Sequence, residues 1–564
     1  MSIDSRQKGR KWWAALFGVS LLGMTACHGD VVNPNDPDRA RATVNPSDVE
    51  AFIGGLYYPS FHNAMNTSLA INTFAHGSSV FTATLAGSQD QQQYEEIMEP
   101  RRIHNNAAHI SQSVGPHGPR NFWAAIGRVQ SIAYDGLQIL DEGMQIMEGN
   151  TDVTPRARAF AKFMQGWAWG YAALIFDRIH VVPETVPMPQ DPQGVLDLSV
   201  SSLTAYPEAI EAAVAALQEA VQIAQANPSV VSYPAISSSE LWFGSTTPIS
   251  NQQFIGMANS LSARLLILAA RTPQERAQVD WNRILQLTAN GVTQDFRTQL
   301  NSTRTNTLLL RIQRNTTTGT DNARLNYRAI GPADQSGAYQ AWINAPVEER
   351  DRFDIVTPDR RITGPTPTSN GAYVAYRADN NGFLQHRGTS LFSGYQWIRH
   401  MVRNNLTGNN TGNNTGFLPL ITVDENNLMR AEALLRTGDK AGAAALINVT
   451  RTRTQRIGTT DYPGLPPVTA DGVPTVDGQC VPRTDQGTCG DLLAALRYER
   501  LIELAGTDMI IPRADSRGFG ILSEGSLYQW PVPGNVLELY HLEEYTYGGI
   551  GQPGGAVYAP ASLP

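Results

Sequence analysis

The sequence predicts a mainly α fold in which antiparallel helix pairs stack side by side, with long loops and a few short strands. Three observations predict it. Apolar residues recur at three- and four-residue spacing in two regions, about 120–275 and 423–506. The helical stretches there come in pairs joined by short turns, as in tetratricopeptide-like arrays. Between the two regions, about 290–422 reads as long loops and short strands, including the Asn/Gly-rich run NNLTGNNTGNNTG at 404–416. The tetratricopeptide consensus itself is absent, so the stacking rests on the pairing alone.

The first element is a leader. Arg6, Lys8, Arg10 and Lys11 precede WWAALFGVSLLGMTA, an apolar run shorter than the roughly 20 residues that span a bilayer. A positive segment, a short apolar core and then small residues form a secretory signal pattern. It ends Met24-Thr25-Ala26-Cys27, which resembles a bacterial lipobox, so 1–26 reads as a lipoprotein signal peptide and Cys27 as the acylated new N-terminus. Each buried acyl methylene contributes about 0.8 kcal/mol, enough over several chains to hold a protein at a membrane. Residues 27–48, rich in Pro, Asn and Asp, read as a tether. The remainder, 49–564, reads as the folded part.

The helices follow in order. In 121–147, Trp123, Ile126, Val129, Ala133, Leu137 and Leu140 share one face. A second helix over 154–177 has Thr154 as its expected N-cap and Pro155 at its first turn. AYPEAIEAAVAALQEAVQIAQA and NQQFIGMANSLSARLLILAAR form the next pair. In 423–453 two helices meet at Arg436-Thr437-Gly438-Asp439, with Gly438 ending one and Asp439 capping the other. A last helix is expected over 489–506.

Charge and chemistry narrow the function. The net charge is −8. Loss of residues 1–26, with their four cations and Asp4, would take it to about −11, which disfavours nucleic acid as a partner. Cys480 and Cys489 are expected to form a disulfide in an exported protein; no histidine lies nearby to complete a metal set, and no cofactor is called for. Gly549-Ile550-Gly551-Gln552-Pro553-Gly554 matches G-x-G-x-x-G but contains a proline and lacks the strand–helix context that a dinucleotide needs. H-E-x-x-H, Walker and G-x-S-x-G motifs are absent. His104 and His180 read as surface or packing residues. Glu499 and Glu503, on one helix with Arg497 and Arg500, read as salt-bridge partners. The aromatics Trp242, Tyr339, Trp342, Tyr373, Tyr376, Tyr395 and Trp397 are candidate platforms for sugar rings, with core packing as the alternative.

Taken in order, the segments resemble the SusD/RagB-like nutrient-binding lipoproteins of the Gram-negative outer membrane. The resemblance runs through the lipobox, NPNDPDRARATVNPSDVEAFIGGLYYPSF, the helix ending Phe176–Pro183, SARLLILAAR, ENNLMRAEALLRTGDKAGAAALINVTRTR, LLAALRYERLIELAG and WPVPGNVLEL. The family usually continues Glu-Leu with Glu-Gly-x-Arg-x-x-Asp-Leu, whereas this chain has AGTDMIIPRADSRGFG. The resemblance implies a SusD-like α-α superhelix carrying a loop-rich ligand-binding part. It also implies a surface lipoprotein that passes oligosaccharide, or in some members peptide, to a SusC-like TonB-dependent β-barrel transporter. Glu432, Arg497 and Glu499 would then be scaffold. A surface-anchored glycoside hydrolase and a purely structural surface subunit are the other readings.

Overall fold

The structure, a computed structural model, describes residues 45–62, 85–87, 119–187, 203–235, 241–245, 247–300, 323–346, 349–377, 393–399, 416–508, 510–548 and 551–563. The signal peptide, Cys27, most of the tether, His104 and all but the last residue of the 404–416 run lie outside the described residues. Ten helices carry the argument: α1 Pro46–Gly54, α2 Pro119–Asp141, α3 Thr154–Ile175, α4 Tyr206–Ala226, α5 Asn251–Leu268, α6 Trp281–Ala289, α7 Val423–Arg436, α8 Lys440–Arg451, α9 Leu492–Leu504 and α10 Ile510–Gly518. The array runs α2 on α3, α3 on α4, α4 on α5 and α5 on α6. It then continues from α6 directly to α7, which packs on α8 and α9.

The chain between α6 and α7 is an insertion with a neck. Its entry strand β1, Phe296–Leu300, pairs antiparallel with its exit strand, β4, Gly416–Ile421. Within it lie β2, Val374–Tyr376, and β3, Tyr395–Trp397, also antiparallel. Two short helices, Tyr327–Ile330 and Ala338–Asn344, stand where only loops and strands were expected.

Caps set the helix limits. Asp439 accepts from the Gly442 N–H at 2.8 Å, and Gly438 takes a φ of 99°, as the sequence predicts. Asp491 accepts from the Ala494 N–H at 2.7 Å and starts α9 inside the expected span. Two expectations need correction. The 121–147 helix stops at Asp141, because Gly143 turns left-handed (φ 99°) and the chain enters a two-residue hairpin. Thr154 is not the N-cap of α3; it is the first helical residue. Its Oγ1 accepts instead from the Ile146 N–H at 2.9 Å, while Asp152 accepts from the Thr154 N–H at 2.9 Å. The stretch that departs from the family pattern forms α10, all nine of whose residues are buried.

Helix α3 is the centre. Every residue except Thr154, Pro155 and Arg158 is buried, because α1, α2, α4 and α5 all pack on it. Two glycines allow the close approaches. A Cβ at Gly166 would lie 2.6 Å from the Ala213 carbonyl oxygen of α4, and one at Gly170 would lie 2.4 Å from Leu265 Cδ1 of α5.

Buried ion pairs tie distant segments together. Arg264 of α5 donates to Glu425 of α7 (Nε–Oε1, 2.7 Å) and to Asp508 (3.2 Å). Arg276 forks onto Glu432 of α7 at 2.8 and 2.7 Å and reaches Asp515 of α10 at 2.9 Å. Arg500 of α9 holds the same Asp515 at 2.8 and 3.0 Å. Cys480 and Cys489 are disulfide-bonded. Cys480 sits in the core shared by α7, α8 and α9.

The glycines give a paired test. Gly127 of α2 has nothing within 4 Å of an added Cβ, so Gly127→Ala should stabilise by up to ~1 kcal/mol through helix propensity. Gly166→Ala gains the same propensity but must push α4 away, so it should destabilise by about 1–3 kcal/mol. Urea unfolding midpoints of the two variants should move in opposite directions.

Candidate functional site

The insertion gathers six of the seven aromatics singled out by sequence. Tyr339 and Trp342 come from the Ala338–Asn344 helix, Tyr373 immediately precedes β2 and Tyr376 ends it, and Tyr395 and Trp397 come from β3. The register sets Tyr376 opposite Tyr395 and Val374 opposite Trp397. Together with Tyr327, Ile355 and Tyr498 of α9 they make one apolar cluster. Trp242 lies elsewhere, in the scaffold core, edge-on to Phe160 at 5.0 Å.

The expected open platform is not what most of these residues form. Tyr339, Trp342, Tyr373, Tyr395, Trp397 and Trp242 are all buried, and only Tyr376 is half-exposed. Their faces are taken by each other: Tyr339 lies parallel to Trp342, and Trp397 meets Tyr373 edge-on at 5.8 Å. The reason is physical. An insertion with only short helices and strands has little else of sufficient area to bury, and each ring removes 150–250 Å² from water.

The accessible side of this cluster is a rim of which the sequence reading singled out only Tyr376. Phe353 stacks on Tyr327 at 4.1 Å and 16° and remains half-exposed. The Tyr327 hydroxyl fixes it, donating to the Phe353 carbonyl (2.7 Å) and accepting from the Phe353 N–H (2.8 Å). Beside it the Tyr376 hydroxyl donates to Asp354 at 3.2 Å. Burial first, then the Asp354 carboxylate, raises the Tyr376 phenol above its usual range, so it stays a neutral donor. Arg352 is half-buried next to Phe353, and Arg377 donates to Gln396 at 2.9 Å. The signal was available: in RDRFD, 350–354, one aromatic is bracketed by charges. Two partly open rings flanked by donors and acceptors can stack on a ring and hydrogen-bond its hydroxyls.

The carboxylates do different work. Glu499 and Glu503 do not pair with Arg497 and Arg500; they pair with Arg361 of the insertion, at 2.7 and 3.1 Å. Arg497 and Arg500 are two residues and one residue from Glu499, spacings that place side chains on different faces of a helix. Arg361 also holds Asp359 at 2.7 Å, and Thr450, Tyr498 and Tyr373 donate to the same three carboxylates. All three acids are at most 2 % exposed. A general acid or base has to reach its substrate, and these cannot. His180 lies beside Tyr540, which shares a hydrogen bond with its ring. Among the described residues no group of three or more His, Cys, Asp or Glu is placed to hold a metal ion, and no helix is long and apolar enough to cross a membrane.

No protein-family model matches the sequence, and no curated protein matches it. Solved structures do match. A SusD-like carbohydrate binding protein from Bacteroides fragilis superposes with a TM-score of 0.51 at 14% identity, over 91% of this chain and 94% of that one. This chain has the SusD-like fold. A SusD superfamily protein from Bacteroides vulgatus gives a TM-score of 0.50 at 11% identity over 85% and 89% of the two chains. A second from Bacteroides fragilis gives 0.50 at 14% over 89% and 100%. The SusD-like fold accounts for the helix array. Identity this low leaves the ligand to be argued from the chain itself.

Two outcomes test this geometry. Trp397→Ala should cost about 3–5 kcal/mol of unfolding free energy as a core truncation, whereas Tyr376→Ala should leave the urea midpoint nearly unchanged. Stability should also fall with acid. Burial alone would raise the Asp359 and Glu432 carboxyls, but Arg361 and Arg276 outweigh it and hold both below the usual range. Their contribution is present above the unfolded pKa of about 4 and is lost as pH falls through the folded value. Burial lowers His180 to about 4, so its contribution is lost between about pH 6.5 and 4. Urea midpoints should drop from pH 7 to 4 and again to 3. A flat profile would refute the assignment.

Proposed function

We propose that this chain is a non-catalytic, surface-anchored capture protein for a nutrient glycan. Acylation of Cys27 would hold it at the outer membrane, and it would deliver its ligand to a TonB-dependent β-barrel transporter of the SusC type. The observation that carries the reading is the SusD-like fold over most of the chain, one of whose matched structures is named a carbohydrate binding protein. The rim of Phe353, Tyr376, Arg352 and Asp354 supports it, because half-open rings beside charged groups suit a sugar's apolar face and its hydroxyls. The burial of Asp359, Glu499 and Glu503 under Arg361 supports a binding role over hydrolysis, since a glycosidase needs two carboxyl groups flanking the bond it cleaves.

The deciding experiment is a screen of purified protein against glycan and peptide panels, with bound material recovered for mass spectrometry. Saturable binding of one glycan class, recovered intact, is expected. Tyr376→Ala should weaken that binding about tenfold, the scale of one aromatic contact. A ligand recovered cleaved would overturn the non-catalytic reading, and binding confined to peptides would overturn the glycan.

A further inference from the structure

A second site lies where the insertion, the disulfide loop, α9 and the C-terminal tail meet. Arg328, from the Tyr327–Ile330 helix, and Arg497, from α9, line a cavity of about 20 Å³ with Asp485 of the disulfide loop and Tyr339, Tyr498 and Tyr558. Arg328 is only 9% exposed. One face of its guanidinium lies over the Tyr558 ring at 4.6 Å. Its Nε and Nη1 are buried and hydrogen-bond to nothing among the described residues. That arrangement is costly, because a buried cation without a counter-charge loses its hydration and regains only the attraction of the ring. Arg264, Arg276, Arg361 and Arg500 are matched by carboxylates, and the buried Arg271, Arg513 and Arg517 donate to backbone carbonyls.

The rest of the lining does not supply the missing partner. The Asp485 carboxylate accepts from the Tyr558 hydroxyl, and it makes no ion pair with Arg328 or Arg497. The Tyr498 hydroxyl is committed to Asp359 at 2.7 Å. Two arginines against one aspartate leave the lining with one net positive charge. A cavity of this size has room for about one water-sized group, and the in-plane edge of a stacked guanidinium is the geometry that pairs with a carboxylate.

We infer that this cavity binds one small monovalent anion, a halide or a single carboxylate group, between Arg328 and Arg497. The carboxylate can belong to a free ion or to an acidic sugar. The site does not depend on the glycan reading, since it neutralises a charge that the fold itself buries. It also clamps the tail to the disulfide loop through Tyr558 and Asp485.

Thermal unfolding of the whole protein tests this, with sodium chloride, sodium formate or sodium glucuronate titrated against a bulky sulfonate buffer at fixed ionic strength. A ligand that binds only the folded state raises the midpoint, and a saturable rise of about 1–2 °C is expected with chloride or formate. Arg328→Met and Arg497→Gln should each abolish the rise, while the surface variant Arg456→Gln retains it. Arg497 is half-exposed, so its variant keeps the test sound should Arg328→Met fail to fold. A rise with chloride and formate alone assigns a free ion, and a rise with glucuronate that both variants abolish assigns an acidic sugar. No saturable rise in the unaltered protein, or a rise that survives Arg497→Gln, overturns the inference and leaves a water in the cavity.

Discussion

The structure depends on buried arginines that find carboxylates far away in sequence. Arg264 and Arg276 are fully buried and reach Glu425, Glu432, Asp508 and Asp515, all more than 150 residues on. Arg361 does the same for the insertion, fixing it to Glu499 and Glu503 of α9. Bidentate forks give these contacts direction as well as energy. Removing one partner of such a pair typically costs about 3–5 kcal/mol, because the other charge stays buried and unmatched. Apolar helix faces tolerate sliding; a guanidinium seated on a carboxylate does not. The pairs therefore fix which helix follows α6 in the array, although α7 begins more than 130 residues after α6 ends.

That constraint explains how so long an insertion is carried. Loop-closure entropy grows only slowly with length, so the insertion adds little cost once its ends are pinned. The β1–β4 pair pins them, and the Asp295 carboxylate accepts from the Val423 N–H at 3.1 Å just beyond. Arg361 adds a second anchor on α9. Freed from holding the array together, the insertion builds its own core from rings, and the outer edge of that core is the rim.

Much of the scaffold was legible in the sequence. Helical period, the Gly438–Asp439 turn and the two late cysteines each act over a few residues, and each is found where local chemistry puts it. What failed depends on distance. Glu499 and Glu503 are recognisable as ion-pair partners from their spacing on α9, yet their partner Arg361 lies in a segment with no period to read. Helix α10 is short and carries a proline, and its charged residues Asp515 and Arg517 are buried only because Arg276 and the Leu268 carbonyl, both more than 230 residues earlier, receive them. The aromatics show the same limit. Tyr395 and Tyr376 face each other across β2 and β3, one buried and one half-exposed, and nothing in either tyrosine's neighbours says which will be covered. Only the bracketing charges of RDRFD marked a ring that stays near water.

The division of labour that results bears on function. Acidic groups capable of proton transfer are plentiful, but the strongest cluster is spent on structure: Asp359 is held ionised by Arg361, and Glu499 and Glu503 are crossed by the same guanidinium. A carboxylate kept charged and enclosed cannot deliver a proton to a glycosidic oxygen. On the reading proposed above, recognition would fall to groups that keep one side open, such as Phe353 and Tyr376 with their flanking charges. Such a rim would bind through contact area and hydrogen bonds that can be exchanged one by one, and so would release its ligand unchanged. That property suits capture and transfer, and it is compatible with a scaffold whose charges are locked.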